Sequence, residues 1–136
     1  MEFALGLFSN RGKDRRATAS GLQLPQNFAR SLEGFGRSQF DPQAGPSPIG
    51  EAELYTLAQP DPDAFIVAVS VCAREAGGWA LYGGARAVWH ALGSSVSHPD
   101  YLALLDESND FMIREHGSAA LSPMELQRWH EVRGDA

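Results

Sequence analysis

The chain has 136 residues, of which 43% are hydrophobic, a net charge of −6 and one cysteine, enough for one modest domain. A single thiol excludes an internal disulfide and fits a reducing compartment, so a cytoplasmic location is expected. No apolar run approaches the ~18–20 residues needed to span a bilayer.

The charge is unevenly spread. Residues 1–50 carry six basic and four acidic side chains, whereas residues 51–136 carry five and thirteen. An acidic second half argues against nucleic acid, whose phosphates need clustered Lys and Arg. It suits a basic protein surface. The chain divides accordingly into an N-terminal segment, residues 1–50, and an α-helical domain, residues 51–136.

At the N-terminus, Phe3, Leu5, Leu7 and Phe8 precede Arg11, Lys13, Arg15 and Arg16. The apolar part is too short for a secretion signal, and its positive charges follow rather than precede it. The segment is expected to dock on the domain through its aromatics, with weak contact to an anionic membrane as the alternative. Leu24-Pro25 opens a short helical pattern carrying Phe28, Leu32 and Phe35, and Gly34 and Gly36 are expected to end it. Residues 39–50 form a Pro/Gly-rich connector without periodicity. A short helix from Glu51 to Leu57 carries Leu54, Tyr55 and Leu57.

Residues 61–93 are the most apolar stretch with clear start and stop signals. Asp61 is an N-cap, Pro62 fits the first helical position and Asp63 favours the positive end of the dipole. Phe65, Val69, Cys72 and Ala76 follow at helical spacing. Gly77-Gly78 provides the break, and a second helix runs from Trp79 to Leu92 with Leu81, Ala85, Val88 and Leu92 on one stripe. Gly83-Gly84 inside it costs roughly 1 kcal/mol per glycine relative to alanine, which predicts close helix–helix approach over a small-residue face. Cys72 lies on the apolar stripe and reads as a buried structural thiol.

Ser97 or His98 caps the next helix, with Pro99 and Asp100 in its first turn. Tyr101, Leu104, Leu105, Ser108, Phe111 and Met112 make its inward stripe, and Gly117 closes it. The last helix has a complete start: Ser122 as N-cap, Pro123 first, Glu125 as reciprocal partner of a capping box, and Leu121 with Leu126 as a hydrophobic staple. The pattern predicts an all-α globular bundle of four to six helices built on two consecutive helical hairpins. The expected core is Phe65, Val69, Cys72, Leu81, Ala85, Val88, Leu92, Leu104, Leu105, Phe111, Leu126 and Trp129.

The chemistry-bearing residues form no recognised constellation. His90, His98, His116 and His130 are not spaced for zinc, and no cofactor motif is present. Asp106, Glu107 and Asp110 are the densest acid cluster. They read first as a solvated helix face and second as an acid/base or metal-dependent site of a small helical enzyme. The Ala/Arg/Gly-rich segment 80–93, with LSPMELQRW later at 121–129, has the flavour of small proteins from GC-rich bacterial genomes. The expectation is a non-enzymatic protein-binding module, adaptor-like or immunity-like in build. It would recognise a basic partner through Asp100, Asp106, Glu107 and Asp110, with Trp79 and Tyr82 as aromatic contacts, and with no cofactor or metal.

Overall fold

The computed structural model describes residues 23–93 and 96–134. The expectations placed on the N-terminal cluster from Phe3 to Arg16 lie outside the described residues. Six α-helices follow one another: α1 (Phe28–Phe40), α2 (Glu51–Ala58), α3 (Pro62–Ala76), α4 (Trp79–Leu92), α5 (Pro99–His116) and α6 (Pro123–Arg133). Short 3-10 turns at Pro42–Ala44 and Ser118–Ala120 join α1 to α2 and α5 to α6. The described chain is an all-α bundle with α3–α4 and α5–α6 as successive helical pairs.

Helix α4 is the centre: α1, α2, α3 and α5 all pack on it. Eight of its 14 residues are buried, so it needs small side chains to admit four neighbours. Ala80, Ala85, Ala87 and Ala91 supply them, together with Gly83 and Gly84. The closest approach is to α1. A Cβ built on Gly83 would lie 1.7 Å from the Leu32 carbonyl oxygen, and one on Gly36 would lie 2.5 Å from the Trp79 carbonyl oxygen. The two helices therefore meet backbone to backbone, and α1 runs through Gly34 and Gly36 instead of ending there. Contact of Gly36 with α4, and of Gly34 with Pro48 of the connector, offsets the helix-forming penalty of those glycines. The same contact places Phe28, Leu32 and Phe35, along with Ile49 of the connector, in one core with Phe65, Val69, Val88 and Leu104.

The helix ends follow the capping chemistry. Asp61 Oδ1 accepts from the Ala64 amide at 3.1 Å, and His98 Nδ1 accepts from the Asp100 amide at 3.1 Å. Between α3 and α4 the chain turns through Gly77 and Gly78 at φ 70° and 54°, a left-handed path that side chains with a Cβ resist. At α6 the full capping box forms: the Glu125 amide donates to Ser122 Oγ and the Ser122 amide to Glu125 Oε1. Leu121 and Leu126 pack in one small cluster with Tyr82 and Met112, as a staple requires.

Most of the expected core is buried, Cys72 included, but Leu81, Leu92, Phe111, Leu126 and Trp129 are only half-buried. For Leu126 and Trp129 the reason is the placement of α6. It packs on α5 at the edge of the bundle and contributes no fully buried residue, its apolar side chains Leu126 and Val132 resting only partly buried against the two core clusters. No described helix is long and apolar enough to cross a membrane.

Candidate functional site

Because α6 leans on α5 and stands away from α4, a cleft of about 240 Å³ remains between the three helices. From α4 come Tyr82, Ala85, Arg86 and Trp89, and from α5 Tyr101, Leu105, Ser108 and Asn109. Helix α6 adds Met124, Glu125, Arg128 and Glu131 on the far side.

Polar tethers hold α6 across this gap. Arg86 Nη1 pairs with Glu125 Oε2 at 3.0 Å, with the two side chains 18% and 14% exposed. The Asn109 amide nitrogen donates to the Glu125 carbonyl at 3.3 Å. Arg128 Nη2 donates to the Val96 carbonyl at 2.8 Å, and its other terminal nitrogen lies 3.4 Å from Glu131. Arg133 Nε reaches Asp106 at 2.8 Å. Arg86 is further fixed by the Trp89 ring, 3.9 Å from its guanidinium carbon. It also donates to Gln39 Oε1 at 3.3 and 3.4 Å. That same amide oxygen lies 2.8 Å from His90 Nε2. Glu125 thus serves both the α6 cap and the tether to α4, one carboxylate oxygen for each.

Two features of the cleft bear on what it can do. Burial, reinforced by the Glu125 charge and opposed by Arg86, pushes the Tyr82 phenol up to about 12. Burial also raises Tyr101, with Arg128 and Arg86 pulling the other way. Both phenols therefore stay protonated at neutral pH, suited to hydrogen bonding and not to taking up a proton. The second feature is Ser108. It is fully buried, and its Oγ has no hydrogen-bond partner among the described residues. A serine inside a helix often bonds back to the carbonyl four residues earlier; Ser108 does not. A buried hydroxyl left unpaired costs about 1–3 kcal/mol. Ser70 Oγ on α3 is unpaired in the same way, but Ser70 does not line the cleft.

The residues expected to form the site fall in three places. Tyr82 lines the cleft. Trp79 lies outside it, its ring 5.3 Å from Phe40, 5.7 Å from Phe111 and 5.1 Å from His116, centroid to centroid. Asp100, Asp106, Glu107 and Asp110 do not line the cleft either. Asp100 is in the first turn of α5. Asp106 pairs with Arg133, Glu107 with Arg74 at 3.0 Å and Asp110 with Arg114 at 2.7 Å. Each of these three carboxylates thus already holds an arginine of its own chain. Among the described residues no group of three or more His, Cys, Asp or Glu side chains is gathered as a metal would need.

Arg86, Tyr101, Ser108, Asn109 and Arg128 escaped the sequence reading as site residues. The available signal was polarity out of place. Arg86 is the one formal charge on α4, and Ser108 and Asn109 sit on the buried side of an otherwise apolar stripe. The chain matches no protein-family model, and no curated protein or solved structure is detectably similar to it.

Proposed function

We propose that this chain is a non-enzymatic, cytoplasmic protein-binding module that receives one side chain of a partner in the cleft between α4, α5 and α6. The observation that carries this reading is the preformed cleft itself, which sets apolar surface from Ala85, Leu105 and Trp89 beside the Arg86–Glu125 and Arg128–Glu131 pairs. The protonated state of Tyr82 and Tyr101 supports binding over proton transfer, because catalytic bases are tuned towards working pH rather than away from it. The acidic surface of α5 flanks the cleft and favours a basic partner. Internal pairing of Asp106, Glu107 and Asp110 makes its contribution one of steering, felt mainly in the on-rate.

The test uses a photo-crosslinking residue introduced at Met124 or at Tyr55 in the full chain, expressed in its own host. The two side chains are equally exposed, at 55%, but only Met124 borders the cleft. A basic partner should be captured from position 124 and not from 55. Equal capture from both positions, or capture from 55 alone, would move the partner surface elsewhere.

A further inference from the structure

We infer that His90 and Glu51 form a proton-operated latch between α4 and α2. It is open while the imidazole is neutral, and it closes when a proton enters at Nδ1 and makes that nitrogen a donor to the Glu51 carboxylate. The latch is independent of the cleft and of any partner seated there.

The assignment starts from Arg86, whose guanidinium donates hydrogen bonds and accepts none. It reaches Gln39 through Nε at 3.4 Å and Nη2 at 3.3 Å. The Gln39 group that meets it is therefore the amide oxygen and not the amide nitrogen. The same oxygen lies 2.8 Å from His90 Nε2. Because an amide oxygen only accepts, Nε2 carries the hydrogen. A neutral imidazole holds a single N–H, so Nδ1 is left as an acceptor. Its neighbour is another acceptor, Glu51 Oε1 at 3.4 Å. Two acceptors offer each other no hydrogen bond, and the Glu51 side chain, 60% exposed, can turn to water instead. A proton on Nδ1 reverses the relation: an N–H then meets a carboxylate of opposite charge, the stronger class of hydrogen bond.

The surroundings decide when the latch closes. From α1 the imidazole meets the Phe35 ring, edge-on at 5.8 Å, and the neutral Gln39 amide. Within α4 it meets the Trp89 ring at 5.4 Å. Burial is the largest influence and holds His90 below its ordinary 6.5; the Glu51 charge from α2 opposes it and the Arg86 charge from α4 assists it. Glu125 of α6 is engaged with Arg86. The latch is therefore open at neutral pH and closes in acid. Glu51 is the first residue of α2, which packs on α4. Closing the latch ties the start of that short helix to the central one.

NMR of the full chain, with the imidazole nitrogens labelled, tests both halves. In the unaltered protein at neutral pH, the proton–nitrogen correlations of His90 should show the Nε2–H form. An Nδ1–H form would overturn the assignment. On acidification, Glu51→Gln should weaken proton binding at His90 roughly 1.5- to 5-fold, the worth of a partly exposed ion pair. High salt should shrink that difference. Glu53→Gln, an equally conservative change at an exposed position of the same helix, should leave His90 unchanged. Amide shifts of α3 and α4 that match the unaltered chain at neutral pH are the control for an intact fold. A His90 titration indifferent to Glu51→Gln, or one that responds equally to Glu53→Gln, overturns the latch.

Discussion

Gly36 on α1 and Gly83 on α4 lie against each other with no room for a side chain between them. A Cβ on Gly83 would stand 2.9 Å from the Gly36 backbone nitrogen, and one on Gly36 would stand 2.8 Å from that of Gly83. This contact joins the first helix to the central one and fixes the face of α4 left for α5 and the cleft.

Gly83→Ala should therefore destabilise the fold, even though alanine favours helix by about 1 kcal/mol over glycine. Its methyl would meet the Leu32 carbonyl at 1.7 Å, and backbone cannot step aside as a side chain can. The expected loss is about 1–3 kcal/mol, the range for overpacking. Gly84→Ala meets only side-chain carbons, Ala73 Cβ at 2.9 Å and Val69 Cγ1 at 3.2 Å, and should cost less. Urea denaturation of both variants checks the order; a Gly84→Ala variant less stable than Gly83→Ala would contradict it.

The double glycine shows what was legible in the sequence and what was not. Two glycines inside an apolar helix cost enough to demand a compensating contact, so close approach could be read directly. Its partner could not. Gly34 and Gly36 look like the end of a helix until the surface that receives them is known, because the same residue type serves as a stop and as a crossing point. The caps at Asp61 and Ser122 were legible because capping is local in sequence, and the cap of α5 could be narrowed to Ser97 or His98, of which His98 makes the bond. The cleft was not, since it arises from the wide spacing of α4 and α6, and no local pattern encodes a gap. Asp106, Glu107 and Asp110 stood out by their density, but their arginine partners come from three positions, Arg74, Arg114 and Arg133. Two of those positions are far away along the chain.

The capping box yields a second prediction. Ser122→Ala removes the oxygen that accepts from the Glu125 amide and should cost roughly 0.5–2 kcal/mol. Glu125→Ala should cost more, because it also leaves the half-buried Arg86 without its charge partner. In a double-mutant cycle the two substitutions should be non-additive, as members of one box. Strict additivity in thermal or urea denaturation would count against the reciprocal geometry.

Alkaline titration yields a third. The folded state holds the Tyr82 proton more tightly than the unfolded chain does, with a value of about 12 against the ordinary 10.0. A raised value means that this contribution to stability is fully present below pH 10 and is lost as the pH climbs from there through about 12. Tyr101 shifts in the same direction. Urea stability should therefore decline over that window, and Tyr82→Phe should make the decline shallower. An identical alkaline slope in Tyr82→Phe would remove Tyr82 from the linkage.

Acid titration turns on His90, and its sign is also fixed. Burial lowers its value from the ordinary 6.5, with Glu51 opposing and Arg86 assisting. The unfolded chain therefore takes up this proton first as the pH falls. Stability from this residue is present above about pH 6.5 and is lost as the pH drops through the lower folded value. His90→Gln should flatten the stability profile just below pH 6.5. A steeper profile in that variant would reverse the assigned direction.

The last prediction concerns α6. The helix has no fully buried residue; beside partial apolar contact through Leu126 and Val132, it is held by hydrogen bonds and ion pairs through Arg86, Asn109, Arg128 and Arg133. Helices secured in this way open before the apolar core does. Hydrogen exchange should show α6 amides exchanging faster than those of α3 and α4. Added salt should widen the gap where the tethers are exposed, since screening weakens such pairs most. Arg128→Ala removes the bond to the Val96 carbonyl and should speed exchange across α6 while leaving α4 protected. A partner side chain occupying the cleft would touch α4, α5 and α6 at once and should slow α6 exchange in proportion to its occupancy. Uniform protection across α4 and α6, unchanged by Arg128→Ala, would mean that the last helix belongs to the cooperative core and that its polar tethers do not govern its opening.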